Sequence, residues 1–129
     1  MKDFYNFLLF INGVEFKDIA FDNSILSLPI WIMAITAFVF LILFYLVFDH
    51  PRKTRLPQYL ILMVVHFLVN FIVSTVYTKY SLEKLEYLDF LLSEYLNVGT
   101  GIALLGVISY FILSIIIKRF SNNARNIPF

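Results

Sequence analysis

The chain holds two histidines, His50 and His66, and no cysteine. The missing thiols exclude disulfides, thiolate metal sites, Cys-attached haem and a cysteine nucleophile. His66 lies in a pattern. Tyr59, Met63, His66, Asn70, Ser74 and Tyr77 recur at steps of three or four, and at about 100° per residue they share one stripe of a helix. Three kinds of chemistry fit such a stripe. His66, Asn70 and Ser74 can hydrogen-bond to neighbouring helices as glue. His66 can carry protons, its reference pKa being about 6.5. His66 can also ligate a metal or haem, but that needs a second histidine or a carboxylate three or four residues away, and neither is there. No Asp, Glu, Lys or Arg falls within the apolar stretch that carries the stripe, which weakens an ion-coupled path. Glue is the reading taken. Asp49 and His50, next to each other near Pro51, read as a solvated loop.

A second pattern is steric. Gly99, Ala103 and Gly106 lie on one helical face, continued by Tyr110 and Ser114. The spacing Gly99-x-x-x-Ala103 lets two helix backbones approach closely. The expected helix–helix interface is therefore His66, Asn70, Ser74, Tyr77, Gly99, Ala103, Gly106 and Tyr110. Enzyme signatures are missing: there is no nucleophile elbow, no phosphate-cradling glycine loop and no pair of carboxylates in an apolar stretch. The chain reads as no enzyme, with no catalytic residue, no metal and no cofactor.

The elements that must position these residues follow from composition. The chain has 129 residues, 60% of them hydrophobic and 15% charged, where a soluble domain carries about 45–50% and about 25%. Three stretches, 28–48, 59–77 and 98–117, hold no charged residue. Each is near the ~20 residues that cross a hydrocarbon core. Inside lipid every backbone polar group must be paired within its own element, so each stretch is expected to be helical. Pro29 and Trp31 open the first, Tyr59 and Tyr77 bracket the second, and Lys118 and Arg119 close the third. Pro suits a first helical turn, and aromatic rings suit a membrane interface.

Orientation follows from basic residues in short flanks. The loop 49–58 carries Arg52, Lys53 and Arg55, and the tail 118–129 carries Lys118, Arg119 and Arg125. The segment 1–27 and the loop 78–97 are acidic on balance, with Asp3, Glu15, Asp18 and Asp22 in one and Glu83, Glu86, Asp89 and Glu94 in the other. All four flanks agree with an N-terminus outside and a C-terminus in the cytoplasm. The basic loop Arg52, Lys53 and Arg55 needs no further role than this. In 78–97, Leu82, Leu85, Leu88, Leu92 and Leu96 fall on one face opposite acidic residues, which predicts an outer amphipathic helix, lying in the interface or extending a span outward into a partner. Residues 4–11 are apolar but too short to span, and are expected to form a short interfacial helix. Lys2 is followed at once by Asp3 without a small-residue cleavage pattern, so the chain is read as unprocessed.

The expected fold is thus an all-α integral membrane protein with three transmembrane helices. Its expected partners are the lipid bilayer and other membrane-protein subunits, in a hetero- or homo-oligomer. A net charge of +1 argues against nucleic acid. The function that fits is a non-catalytic structural or assembly subunit of a larger membrane complex, with a bacterial envelope secretion or injection apparatus as the suggested host and the bacterial inner membrane as the location. The alternative is a small homo-oligomeric channel or transporter lined by the second span.

Overall fold

The computed structural model describes residues 19, 22, 24–45, 56–86 and 92–118. They form three helices: α1 (Ser27–Leu43), α2 (Leu56–Lys84) and α3 (Leu92–Lys118). Among the described residues there is no strand. The helices start where the chemistry permits. Pro29 falls in the first turn of α1 and Pro57 in the first turn of α2, where a missing N–H removes no helical bond. Before α1 the chain turns at Ser24, which has φ 52°, and the Ser27 amide donates to the Ser24 carbonyl at 3.1 Å.

The far end of α2 departs from the sequence expectation. Residues 78–97 do not make one amphipathic helix: 78–84 belong to α2 and 92–97 to α3, while 87–91 lie outside the described residues. The leucine periodicity is real but is divided between two helices. The chain leaves α2 at a tight turn, in which Leu85 and Glu86 donate to the carbonyls of Leu82 and Glu83 at 3.0 and 3.1 Å. Glu86 takes φ 64°, the left-handed conformation that ends a helix and that glycine adopts most readily. The other bounds also move. Residues 56–58, expected in the basic loop, already belong to α2, and α3 begins at 92 rather than 98. The expected first span ran to 48, and α1 ends at Leu43. Residues 46–48, the loop with Arg52, Lys53 and Arg55, the stretch 4–11 and the tail beyond Lys118 lie outside the described residues.

α2 and α3 share the most extensive interface, and α1 packs against both. The core has three levels. Near the α2–α3 connection, Ile25, Leu26, Met33, Leu82, Tyr95, Val98 and Ile102 form an apolar cluster. At the opposite end Leu41, Phe44, Tyr59 and Tyr110 form an aromatic one. Between them the core is polar: His66, Asn70 and Ser74 are at most 1% exposed.

The outward faces are the reverse. Trp31, Ile35, Phe38, Ile61, Val64, Ile72, Val76, Ile108 and Ile112 are all more than half exposed. Only 22% and 33% of the most apolar stretches of α2 and α3 are buried within the chain, so these helices do not spend their apolar surface on an internal core as those of a water-soluble domain would. Both are long and apolar enough to cross a membrane, which is compatible with a membrane protein. α1 is apolar but, at 17 residues, shorter.

Candidate functional site

The polar middle of the core is built mostly from α2. On α2, His66, Asn70, Ser74, Thr78 and Leu82 are buried, a run at steps of four. Each such step advances about 40° past a full turn, so the seam winds around α2 and meets α1 and α3 in succession. That winding decides between adjacent positions. Tyr77, expected on the interface, is half-buried beside the apolar cluster, while Thr78 is fully buried. Met63 is half-buried against the aromatic cluster.

Asn70 is the hub. Its amide nitrogen donates to the His66 carbonyl at 2.8 Å and to Thr36 Oγ1 of α1 at 3.2 Å, and lies 3.1 Å from His66 Nδ1. Two amide protons are thus shared among three acceptors. Thr36 Oγ1 donates in turn to the Met33 carbonyl at 3.0 Å and also lies 3.4 Å from Asn70 Oδ1. His66 reaches the third helix, with the Gly106 backbone as a hydrogen-bond partner. A neutral imidazole with its proton on Nε2 meets both demands, since Nδ1 accepts from Asn70 and Nε2–H donates toward α3. Hydrogen bonds thus tie α1 to α2, and the His66 ring lies against the Gly106 backbone of α3. The ring is also held sterically, edge-on to Phe40 at 5.8 Å and stacked on Tyr110 at 5.6 Å between centroids.

Glycine on α3 makes this approach possible. A Cβ at Gly106 would lie 3.0 Å from His66 Nε2 and 3.2 Å from Met33 Cγ. A Cβ at Gly99 would strike Thr75 Oγ1 and lie 2.9 Å from the Phe71 carbonyl oxygen. Both glycines thus face α2, with Ala103 between them at 0% exposure. Tyr110, the last of the expected interface residues, is also at 0% and joins the aromatic cluster, 5.2 Å from the Tyr59 ring. Below it the hydroxyl of Tyr45, two residues past the end of α1, donates to the Ser114 carbonyl of α3 at 3.1 Å.

All eight residues expected at the interface are buried or half-buried; His66 lies against Gly106 and Tyr110 across α2 and α3, Gly99 against Thr75 and Phe71, and Asn70 against Thr36 of α1. Sequence reasoning missed Thr36, Thr78 and Tyr45 as participants. Thr36 carries the one polar side chain at mid-depth of α1, and that solitude is the signal that could have found it. Among the described residues no three His, Asp or Glu side chains gather as metal ligands. Among the described residues the belt contains hydrogen-bond donors and acceptors, no carboxylate and no cation. Comparison with family models, curated proteins and solved structures finds no match to the chain.

Proposed function

We propose that this chain is a three-span integral membrane protein, with its N-terminus outside and its C-terminus in the cytoplasm, that serves as a non-catalytic structural or assembly subunit of a larger membrane complex. The observation that carries the reading is the inversion of polarity: a hydrogen-bonded belt inside and apolar faces outside. In water that arrangement wastes apolar surface, whereas in lipid it keeps His66 and Asn70 away from the hydrocarbon and hydrogen-bonded within the bundle. The rise along α2 from Tyr59 to Leu82 is about 35 Å at about 1.5 Å per residue, close to the roughly 30 Å of a hydrocarbon core. α1 supports a third span, because its ends meet the same two clusters: Leu26 joins the apolar one and Phe44 the aromatic one.

The belt favours the structural role over transport. His66 and Asn70 point into the protomer's own core and are satisfied there, which counts against a pore lined by α2 in a ring of copies. The small-residue face of α3 is likewise used within the protomer, so the surfaces left for partners are the apolar outer faces and the charged ends. A bacterial inner-membrane machine such as a secretion or injection apparatus is the host this size and topology suit. Purification of the tagged chain from its native membrane in mild detergent, followed by mass spectrometry, tests the role. Stoichiometric larger membrane partners are expected. A closed ring made of this chain alone would reject the subunit reading and favour the channel.

A further inference from the structure

Hydroxyls on helices ordinarily return their proton to a carbonyl three or four residues back, and this chain has examples. Thr100 donates to the Leu96 carbonyl at 2.8 Å and Thr36 to the Met33 carbonyl at 3.0 Å. Three hydroxyls of α2 do not. Ser74 Oγ, Thr75 Oγ1 and Thr78 Oγ1 are buried without a hydrogen-bond partner, and the Ser74 and Thr78 residues are 1% and 0% exposed. They occupy one short length of the seam. Ser74 and Thr78 continue the line of His66 and Asn70, and Thr75 faces Gly99 across the α2–α3 contact. On one side they adjoin the Asn70–His66–Thr36 network. On the other, the apolar cluster with Leu82, Tyr95, Val98 and Ile102 closes the core.

A buried hydroxyl without a partner forfeits the hydrogen bonds it had with water, and native proteins resolve such groups with protein atoms or ordered water. We propose that Ser74, Thr75 and Thr78 form a buried water site that extends the Asn70–His66 network toward the α2–α3 connection. Its ligand is water, which offers two donors and two acceptors to hydroxyls that can play either part. The belt then has two unlike halves. At His66 and Asn70 the helices are tied directly, and at Ser74 and Thr78 they are joined through solvent.

The site rests on the bilayer placement proposed above, and one experiment separates the two. Magnetisation transfer from water is followed by solid-state NMR on the full chain in phosphatidylcholine bilayers. Exposed Glu83 and Glu86 report bulk water, and Ile72 and Val76, which are 57% and 62% exposed on the apolar face, report lipid. Ser74 and Thr78 are expected to build up several-fold faster than Ile72 and Val76, and at a rate near that of Glu83. In the variant Ser74→Ala/Thr78→Val, which keeps side-chain shape and removes both hydroxyls, the fast transfer to the Asn70 amide is expected to be lost while the Ile72 and Val76 signals keep their positions. Slow build-up at Ser74 and Thr78 beside slow Ile72 and Val76 overturns the water site alone. So does unchanged transfer to Asn70 in the double variant. Fast build-up at Ile72 and Val76 overturns the bilayer placement, and the water site with it.

Discussion

Replacing Gly99 with Ala tests the α2–α3 contact at the place where the helices have least room to give. Two effects oppose each other. In a helix interior alanine is favoured over glycine by about 0.8–1.0 kcal/mol. Against that, the new Cβ would lie 2.9 Å from the Phe71 carbonyl oxygen, inside the 3.4 Å at which ordinary contact begins. That oxygen belongs to the backbone of α2, so relief requires the two helices to part by about 0.5 Å over the surrounding turns, and overpacking of this kind costs about 1–3 kcal/mol. The two ranges net to a loss of about 0–2 kcal/mol, and the additional, closer collision with Thr75 Oγ1 puts the expected value in the upper half, about 1–2 kcal/mol. Gly106→Ala makes an informative contrast. Its Cβ meets only the His66 ring at 3.0 Å and the flexible Met33 side chain at 3.2 Å, so the propensity gain offsets more of the strain and the net change should lie near zero. Reversible unfolding in mixed detergent micelles, read by Trp31 fluorescence or circular dichroism, measures both. Thr75→Ala combined with Gly99→Ala removes the softer of the two collisions and should recover only part of the loss. If Gly99→Ala were as stable as the parent, or if Thr75→Ala rescued it fully, the backbone-to-backbone contact would not be what limits this interface.

Further outcomes follow from the same structure. Asn70→Leu should weaken the bundle more than Ser74→Ala in the same unfolding assay, because Asn70 bonds both to its own helix and to α1, each bond being worth about 0.6 kcal/mol and at most roughly 2. His66→Gln should leave assembly and function intact, since an amide can accept from Asn70 and donate toward Gly106. A variant that assembles normally but is inactive would instead reveal a proton path, as Gln does not titrate. Glu86→Gly should stabilise the fold by about 1 kcal/mol by relieving the left-handed backbone at φ 64°, and equal or lower stability would show that the turn gains nothing from glycine. Single cysteines, introduced into a chain that has none, should react with an impermeant thiol reagent in intact cells at positions 83–94 but not at 52–55 or 125, and the reverse pattern would overturn the orientation.

The exposed ion pair of Lys79 and Glu83, at 3.7 Å, adds little to stability. Such i, i+4 pairs contribute about 0.3–0.5 kcal/mol. The bundle is held by close packing at glycine and by bonds across the belt, and both depend on which faces meet.

That dependence divides what the residues determine alone from what needs the tertiary structure. The helical state and approximate place of all three elements can be read directly, because long uncharged apolar runs leave few other ways to satisfy a backbone. The stripe of His66, Asn70 and Ser74 is legible from its period, and so is the small-residue face of Gly99, Ala103 and Gly106. The partners are not. α1 is apolar nearly all round, so hydropathy carries no information about its rotation. Only the packing of Met33, Ala37 and Leu41 into the core turns Thr36 toward Asn70, 34 residues away. The choice of Thr78 over Tyr77 also belongs to the packed bundle. Steps of three and four are equally acceptable on a lone helix, and the crossing of α2 with its neighbours selects the four-residue seam. The leucines of 78–97 satisfy one helical period in sequence yet lie on two helices, because antiparallel packing of α2 on α3 requires the chain to reverse between them, and a one-dimensional pattern does not record that reversal.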